Sequence, residues 1–311
     1  IIQGSVSLAE VWFIGQLGTS ALAAIALAFP LLMLTQTMAG GAVGGAVTSA
    51  IARAVGSGDL LRAEKLIWHA LAVTFGGAML FLALYLCFGT PLLLFLGGAG
   101  LTLEQAQDYC LVLFCGGIFL WSLSIIGAIF RGTGDMKFPA LLMIIAAFIQ
   151  VPLSGVLVLG LFGFPQLGIL GAAISAITGG VVVSSIMLFK LANGSQNLKI
   201  KWSACQLSLP LFRDIFKVAL PASLSPILTV TTVLALTAIV SRFGESALAG
   251  YGIGSRIEFL MIPLVFGLGA AMTAMVGTNV GAGNIERAEK IGWIGSSFAA
   301  AISAVVGLTL A

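Results

Sequence analysis

VGSGDLLRAEK at positions 55–65 returns as VGAGNIERAEK at positions 280–290, with seven of eleven residues identical. An earlier pair, GTSALAA from Gly18 and GESALAG from Gly244, is offset by 226 residues, against 225 for the later one. A repeat of this period marks a chain built from two related halves. Within each copy, Gly56 and Gly281 are expected to take positive φ and end a long helix, with Gly58 and Gly283 completing the turn. Asp59 and Asn284 stand where a side chain can cap the next helix, which RAEK then begins. A phosphate-loop reading fails because no Gly-Lys-Ser/Thr follows the glycines, and RGTGD at 131–135 fails for the same reason. Gly40, Gly41, Gly44 and Gly45 form overlapping GxxxG pairs, a signal for close helix contact.

Only 8% of the 311 residues are charged, 59% are hydrophobic, and 40 are glycine. The mean hydropathy is +1.15. A soluble domain carries about 25% charged residues, so this chain is expected in a bilayer, where glycine lets helices approach closely. Cys87, Cys110, Cys115 and Cys205 are scattered among apolar segments and read as small packing residues. One histidine, His69, does not make a zinc site, and no nucleophile–base set is visible, so neither an enzyme nor a resident metal or cofactor is expected. The chain opens inside an apolar segment with no basic stretch before it, which reads as truncation at both ends and not as a signal peptide.

A membrane helix needs about 20 apolar residues. Nine segments qualify or nearly so: 1–14, 20–55, 61–88, 105–131, 138–159, 168–191, 212–241, 246–280 and 285–311. Twelve of the fourteen Lys and Arg residues lie at the even-numbered connections. By the positive-inside rule those connections, and the N-terminus, are cytoplasmic, and the protein is multi-pass in the cell (inner) membrane. Six spans separate the repeats, so the halves share one orientation about an axis along the membrane normal. The expected organisation is an N-terminal lobe over 1–191, a cytoplasmic linker over 192–210 and an incomplete C-terminal lobe over 211–311.

Charges inside spans are costly and so are functional candidates. Glu10 lies in the first span, and Arg256 and Glu258 lie in the eighth, with Glu258 about 18 Å from its start. At the repeat offset Glu10 aligns with Leu236, and Arg256 and Glu258 align with Pro30 and Leu32. These charges are therefore not shared between the halves. Trp12, Phe13, Phe29, Met33, Met38, Phe259 and Met261 are candidates to line a cavity. The positions of Tyr109 and Trp121 fit packing and interfacial anchoring equally well.

The chain resembles the multidrug and toxic compound extrusion (MATE) family. The matching stretches are E-x-x-F-I-G-x-L-G at 10–18, VGSGDLLRAEK at 55–65, FRGTGDMKFP at 130–139, LGILGAAISA at 167–176, KVALPASLS at 217–225 and YGIGSRIEFL at 251–260. The resemblance implies an all-α polytopic membrane protein of two pseudo-symmetric six-helix lobes, about nine spans of which fall in this chain. It further implies alternating-access export of organic, often cationic, compounds in exchange for H⁺ or Na⁺. Glu10 occupies a position where the family usually has aspartate. Where related proteins carry Asn and Asp one turn apart in span five, this chain has Gln150 and Ser154. A threonine sometimes found in span six corresponds to Ala176, with Ser175 and Thr178 nearby.

One carboxylate with weaker neutral neighbours favours a proton over Na⁺, although a Na⁺ ion at Glu10 is the remaining metal possibility. Coupling is therefore assigned to Glu10, Gln150, Ser154 and Glu258, and charge pairing or substrate contact to Arg256. Gly56, Gly58, Gly281 and Gly283 are assigned to structural turns. The expected partners are small organic substrates and the bilayer, with no nucleic acid and no second copy of the chain. The alternatives are a lipid-linked precursor or polysaccharide flippase of related fold, disfavoured with Arg256 as the sole intramembrane base, and a channel or membrane scaffold.

Overall fold

The computed structural model describes residues 2–194, 200, 201, 204–240, 243 and 265–310. Eleven α-helices carry the fold: α1 (Ile2–Gly15), α2 (Thr19–Thr37), α3 (Gly44–Gly56), α4 (Leu60–Phe95), α5 (Gly100–Cys115), α6 (Gly117–Gly132), α7 (Lys137–Leu159), α8 (Ile169–Asn193), α9 (Leu209–Val240), α10 (Val265–Gly281) and α11 (Ile285–Leu310). The protein is an all-α polytopic bundle. Among the described residues, six helical stretches are long and apolar enough to cross a bilayer, seven with α5 and α6 taken together, against the nine spans expected, and α1 and α10 are shorter apolar helices.

Three of the expected spans have internal structure that periodicity did not show. Span two is α2 and α3 joined through a π-helical segment, Met38–Val43, which contains the first two glycines of the GxxxG pairs. π-helical segments inside longer helices recur at functional sites. Span four is two helices bent by 51° at Gly116. Span three runs on to Phe95 as a 36-residue helix, about 54 Å long and well beyond the hydrocarbon thickness.

The apolar core has two layers. Near the Gly-x-Gly end, α3, α4, α6, α7 and α8 bury Val47, Ile51, Leu66, Ile125, Ile129, Phe130, Leu142 and Met187. At the other end α1, α2, α4, α5, α7 and α8 bury Ile14, Ala24, Leu93, Cys110, Phe114 and Val158. Tyr109 and Trp121, for which packing and interfacial anchoring were equally open, lie in these cores. Trp121 lies across Gly77, where a Cβ would fall 2.1 Å from its ring, and packs 5.5 Å from Phe81.

The repeated turns form as expected, but with their glycines in exchanged roles. Gly58 and Gly283 take the left-handed conformation, at φ +76° and +78°, while Gly56 and Gly281 are helical. Asp59 N–H reaches back to the Ala54 carbonyl and Asn284 N–H to the Asn279 carbonyl, the six-to-one bond of a Schellman stop. Asp59 Oδ1 accepts from Arg62 N–H at 2.9 Å and caps α4. The RGTGD turn repeats this geometry, with Gly134 at φ +89° and Asp135 Oδ1 accepting from Phe138 N–H.

Gly56 and Gly281 serve a different purpose: α3 and α10 cross on them. A Cβ on Gly56 would lie 2.0 Å from the Thr278 carbonyl oxygen, and one on Gly281 would lie 2.1 Å from that of Arg53. Arg53 and Thr278 are related by the repeat offset, as are Gly56 and Gly281, so the two contacts are reciprocal. Ala52 and Gly277, also equivalent, meet each other, with 2.8 Å between the Ala52 methyl and a Cβ built on Gly277. Reciprocal contacts of this kind are the signature of a two-fold axis. The pseudo-symmetry read from the repeat is therefore visible as a physical crossing.

Polar contacts tie the start of the second half to the same end of the bundle. Asp214 of α9 accepts from Arg53 at 3.1 Å and from Arg62 at 2.6 Å. In the connection before α9, Lys201 pairs with the buried Glu64 at 2.8 Å, and Trp68 Nε1–H donates to the Lys201 carbonyl. Ser208 N–H donates to His69 Nε2 at 2.9 Å, which leaves the Nδ1 proton for the Lys65 carbonyl. The single histidine is thus a buried strut. Removing the shared carboxylate with Asp214→Asn should cost about 1 kcal/mol, since both pairs are partly solvent-screened. A thermal midpoint lowered by roughly 2 °C in detergent is expected, and an unchanged midpoint would count against the strut.

Candidate functional site

Two of the four expected coupling residues, Glu10 and Gln150, meet between α1 and α7. Gln150 Nε2 donates to Glu10 Oε1 at 2.7 Å, joining residues 140 positions apart. Two glycines let the helices close in around this contact. Gly155 of α7 faces the Phe13 ring, where a Cβ would sit 2.9 Å away, and Gly179 of α8 lies against the Gln150 side chain. Ser154, one turn from Gln150 and on the same face of α7, is fully buried, and its Oγ has no hydrogen-bond partner among the described residues. A buried hydroxyl without a partner costs about 1–3 kcal/mol, so it is a group waiting for a donor or an acceptor.

Ser175 and Thr178, the span-six candidates, do not join this group. Each hydroxyl donates back to a carbonyl of its own helix, Ala172 and Ile174 respectively, at 2.8 Å. The site therefore presents one carboxyl, one carboxamide and one free hydroxyl. That set suits uptake and release of a proton at Glu10 and offers few oxygens to a Na⁺ ion. Of the remaining expected site residues, Arg256 and Glu258 lie outside the described residues, as do Phe259 and Met261. Trp12 and Phe29 are exposed on α1 and α2, and Met33 and Met38 are half-buried.

A second feature lies on the axis of the crossing. A cavity of about 190 Å³ is lined by Gly40, Gly41, Gly45, Thr48, Arg131, Phe266, Gly269, Ala270 and Thr273. Three pairs in its wall are related by the repeat offset: Gly41 with Phe266, Gly45 with Ala270, and Thr48 with Thr273. Thr48 and Thr273 each stand eight residues before a crossing glycine, about 12 Å along the helix, so the crossing floors the cavity. Thr48 donates to the Ala128 carbonyl at 3.0 Å and Thr273 to that of Gly269 at 2.8 Å. Among the described residues of the wall, Arg131 alone is charged. Sequence reasoning placed it among the bases flanking a connection. The signal that could have found this cavity was the offset itself, since residues on a pseudo-two-fold axis pair with their own repeat equivalents.

The chain is thus a helical membrane bundle with repeat-related stretches, an axial cavity and a carboxyl–carboxamide contact between α1 and α7. The chain belongs to the MATE family: the MatE family profile matches residues 1–156 and 221–311. It is 31% identical over 294 residues to a protein of Shewanella oneidensis named FAD transporter, covering 91% of this chain and 63% of that protein. It is 26% identical over 305 residues to the probable multidrug resistance protein NorM of Thermotoga maritima, covering 94% and 64% respectively. The chain thus spans under two thirds of the length of these relatives. A solved structure described as the outward-facing conformation of a multidrug resistance MATE family transporter of the MOP superfamily matches with a TM-score of 0.87. The two share 25% identity, over 99% of this chain and 67% of that one.

Proposed function

We propose that this chain is the larger part of a cation-coupled exporter of organic compounds, in which Glu10 carries the coupling proton. The observation that bears the proposal is the Glu10–Gln150 contact at 2.7 Å, beside the partnerless hydroxyl of Ser154. A carboxyl among apolar helices can exist as the neutral acid, and Gln150 holds it in place in either form. When charged, it accepts from the amide; when protonated, its other oxygen bears the proton. Binding a proton thus changes the charge between α1 and α7 and biases one arrangement of the lobes over another, as coupling requires.

In this reading the Gly-x-Gly end of the bundle is cytoplasmic, as its concentration of bases indicates, and so is the N-terminus in the inner membrane. The lobes are 1–191 and 211–311 with a linker at 192–210, and the chain acts as a monomer. Alternating access opens and closes the α3–α10 crossing. Glu258 contributes a second carboxyl for coupling, and Arg256 contributes charge pairing.

Transport by the full-length protein in liposomes, with either a pH gradient or a Na⁺ gradient imposed, tests the coupling. Ethidium uptake driven by the pH gradient alone is expected, and uptake that follows only Na⁺ would overturn the assignment of the proton. A second reading, export of a phosphorylated organic anion, is favoured by the name of the Shewanella relative, FAD transporter.

A further inference from the structure

We propose that the axial cavity is an anion-binding subsite, in which the Arg131 guanidinium holds a carboxylate or phosphate group of an organic solute. The proposal deepens the transporter reading and rests on it.

The charge balance at this end of the bundle carries the argument. Four other bases here have acidic partners: Arg53 and Arg62 share Asp214, Lys190 lies 3.8 Å from Asp135, and Lys201 pairs with Glu64. Arg131 lies among them, yet its guanidinium makes no hydrogen bond or ion pair among the described residues. Among the described residues, the wall of the cavity it lines contains no acidic side chain. The hydroxyls of Thr48 and Thr273 already donate to backbone carbonyls, so Arg131 supplies the free N–H donors of the pocket. An unpartnered cation between membrane helices is expensive, and such groups mark solute pathways.

The shape of the pocket agrees with its charge. Gly40, Gly41, Gly45, Gly269 and Ala270 share the cavity wall with Arg131 and add no side chain larger than a methyl group. A volume of about 190 Å³ has room for several waters at about 30 Å³ each, or for one oxyanion and the adjoining part of a solute. The planar fork of arginine matches two oxygens of a carboxylate or phosphate at once. A cationic solute in the same place would be repelled at short range in a medium of low dielectric. Among the described wall residues this preference comes from Arg131, in the first half.

Two xanthene dyes of opposite charge, carboxyfluorescein and rhodamine 6G, test the proposal by fluorescence anisotropy with the full-length protein in detergent. Arg131→Gln is expected to weaken carboxyfluorescein binding about tenfold or more and to leave rhodamine 6G binding equal or tighter. Arg131→Lys should retain most of the anion affinity. Equal anion affinity in wild type and Arg131→Gln overturns the subsite, as does a parallel loss of both dyes, which would mark a structural arginine at a helix end.

A second measurement needs no variant. Modification of wild-type Arg131 by phenylglyoxal, read by mass spectrometry of its peptide, should slow severalfold in inorganic phosphate or in acetate. The more protective ion identifies the group that the site prefers, and an unchanged rate in both overturns the proposal. Failure here leaves the Glu10 coupling assignment intact. Anion binding without gradient-driven transport would sink the transporter reading and leave the subsite standing.

Discussion

Glu10→Gln is expected to bring ethidium efflux down to the level of cells carrying empty vector, with the folded bundle preserved. Glutamine has the length of glutamate and keeps an acceptor for the Gln150 amide, whose 2.7 Å bond ties α1 to α7. What it cannot do is bind and release a proton. A fold held largely by the two apolar layers should therefore unfold at nearly the wild-type temperature while transport stops. Glu10→Asp keeps the titrating group but withdraws it by one methylene from Gln150, and an intermediate rate is expected. Gln150→Leu leaves the carboxyl without its donor and should cost about 1.5–3 kcal/mol, the range for a hydrogen bond to a charged group. Normal efflux in Glu10→Gln would remove this residue from the coupling role.

The second large effect is expected from Gly56→Ala or Gly281→Ala. Each new methyl would press on a backbone carbonyl oxygen, at 2.0 and 2.1 Å, and a backbone atom cannot rotate away as a side chain can. To reach ordinary contact at 3.4 Å, α3 and α10 must part by about 1.4 Å at the Gly56 contact. Overpacking of this kind costs about 1–3 kcal/mol, enough to move an equilibrium between crossed and uncrossed arrangements by roughly 5- to 150-fold.

Spin labels at Ser57→Cys and Ala282→Cys, in a background without the native cysteines, report the separation. Their distance distribution should shift outward in Gly56→Ala, and drug efflux should fall by about tenfold or more. Gly292→Ala in α11, where a Cβ meets open space, should change neither. An unchanged distance in Gly56→Ala would show that the crossing yields without separating.

Both effects depend on residues whose presence was plain in the sequence and whose arrangement was not. Glu10 was visible because a carboxylate in an apolar span is rare whatever surrounds it. Gln150 and Ser154 were legible through family resemblance, as substitutes for stronger ligands. That Ser154 has no partner while Ser175 and Thr178 turn back to their own helices depends on helix rotation. A hydropathy pattern without amphipathic stripes says nothing about rotation, because a span surrounded by lipid and other helices is apolar on every side. Tyr109 and Trp121 were left open for the same reason: an aromatic near a helix end fits packing and an interface equally until its neighbours are known.

The glycines divide in the same way. A Gly-x-Gly followed by a capping residue dictates a helix stop by local backbone chemistry, and the sequence alone determined that stop, the apolar character of the helices and the internal repeat. Which glycine would be left-handed and which would carry the crossing required coordinates. The left-handed residue is set by where the Schellman bond closes, and the crossing by what lies on the far side of α3. Arg131 was counted correctly as a base near a connection, yet only the tertiary structure gave it a cavity instead of an acid. Local signals act through a few bonds of chain, whereas pairing across a pseudo-two-fold axis is decided by the packing of helices 225 residues apart.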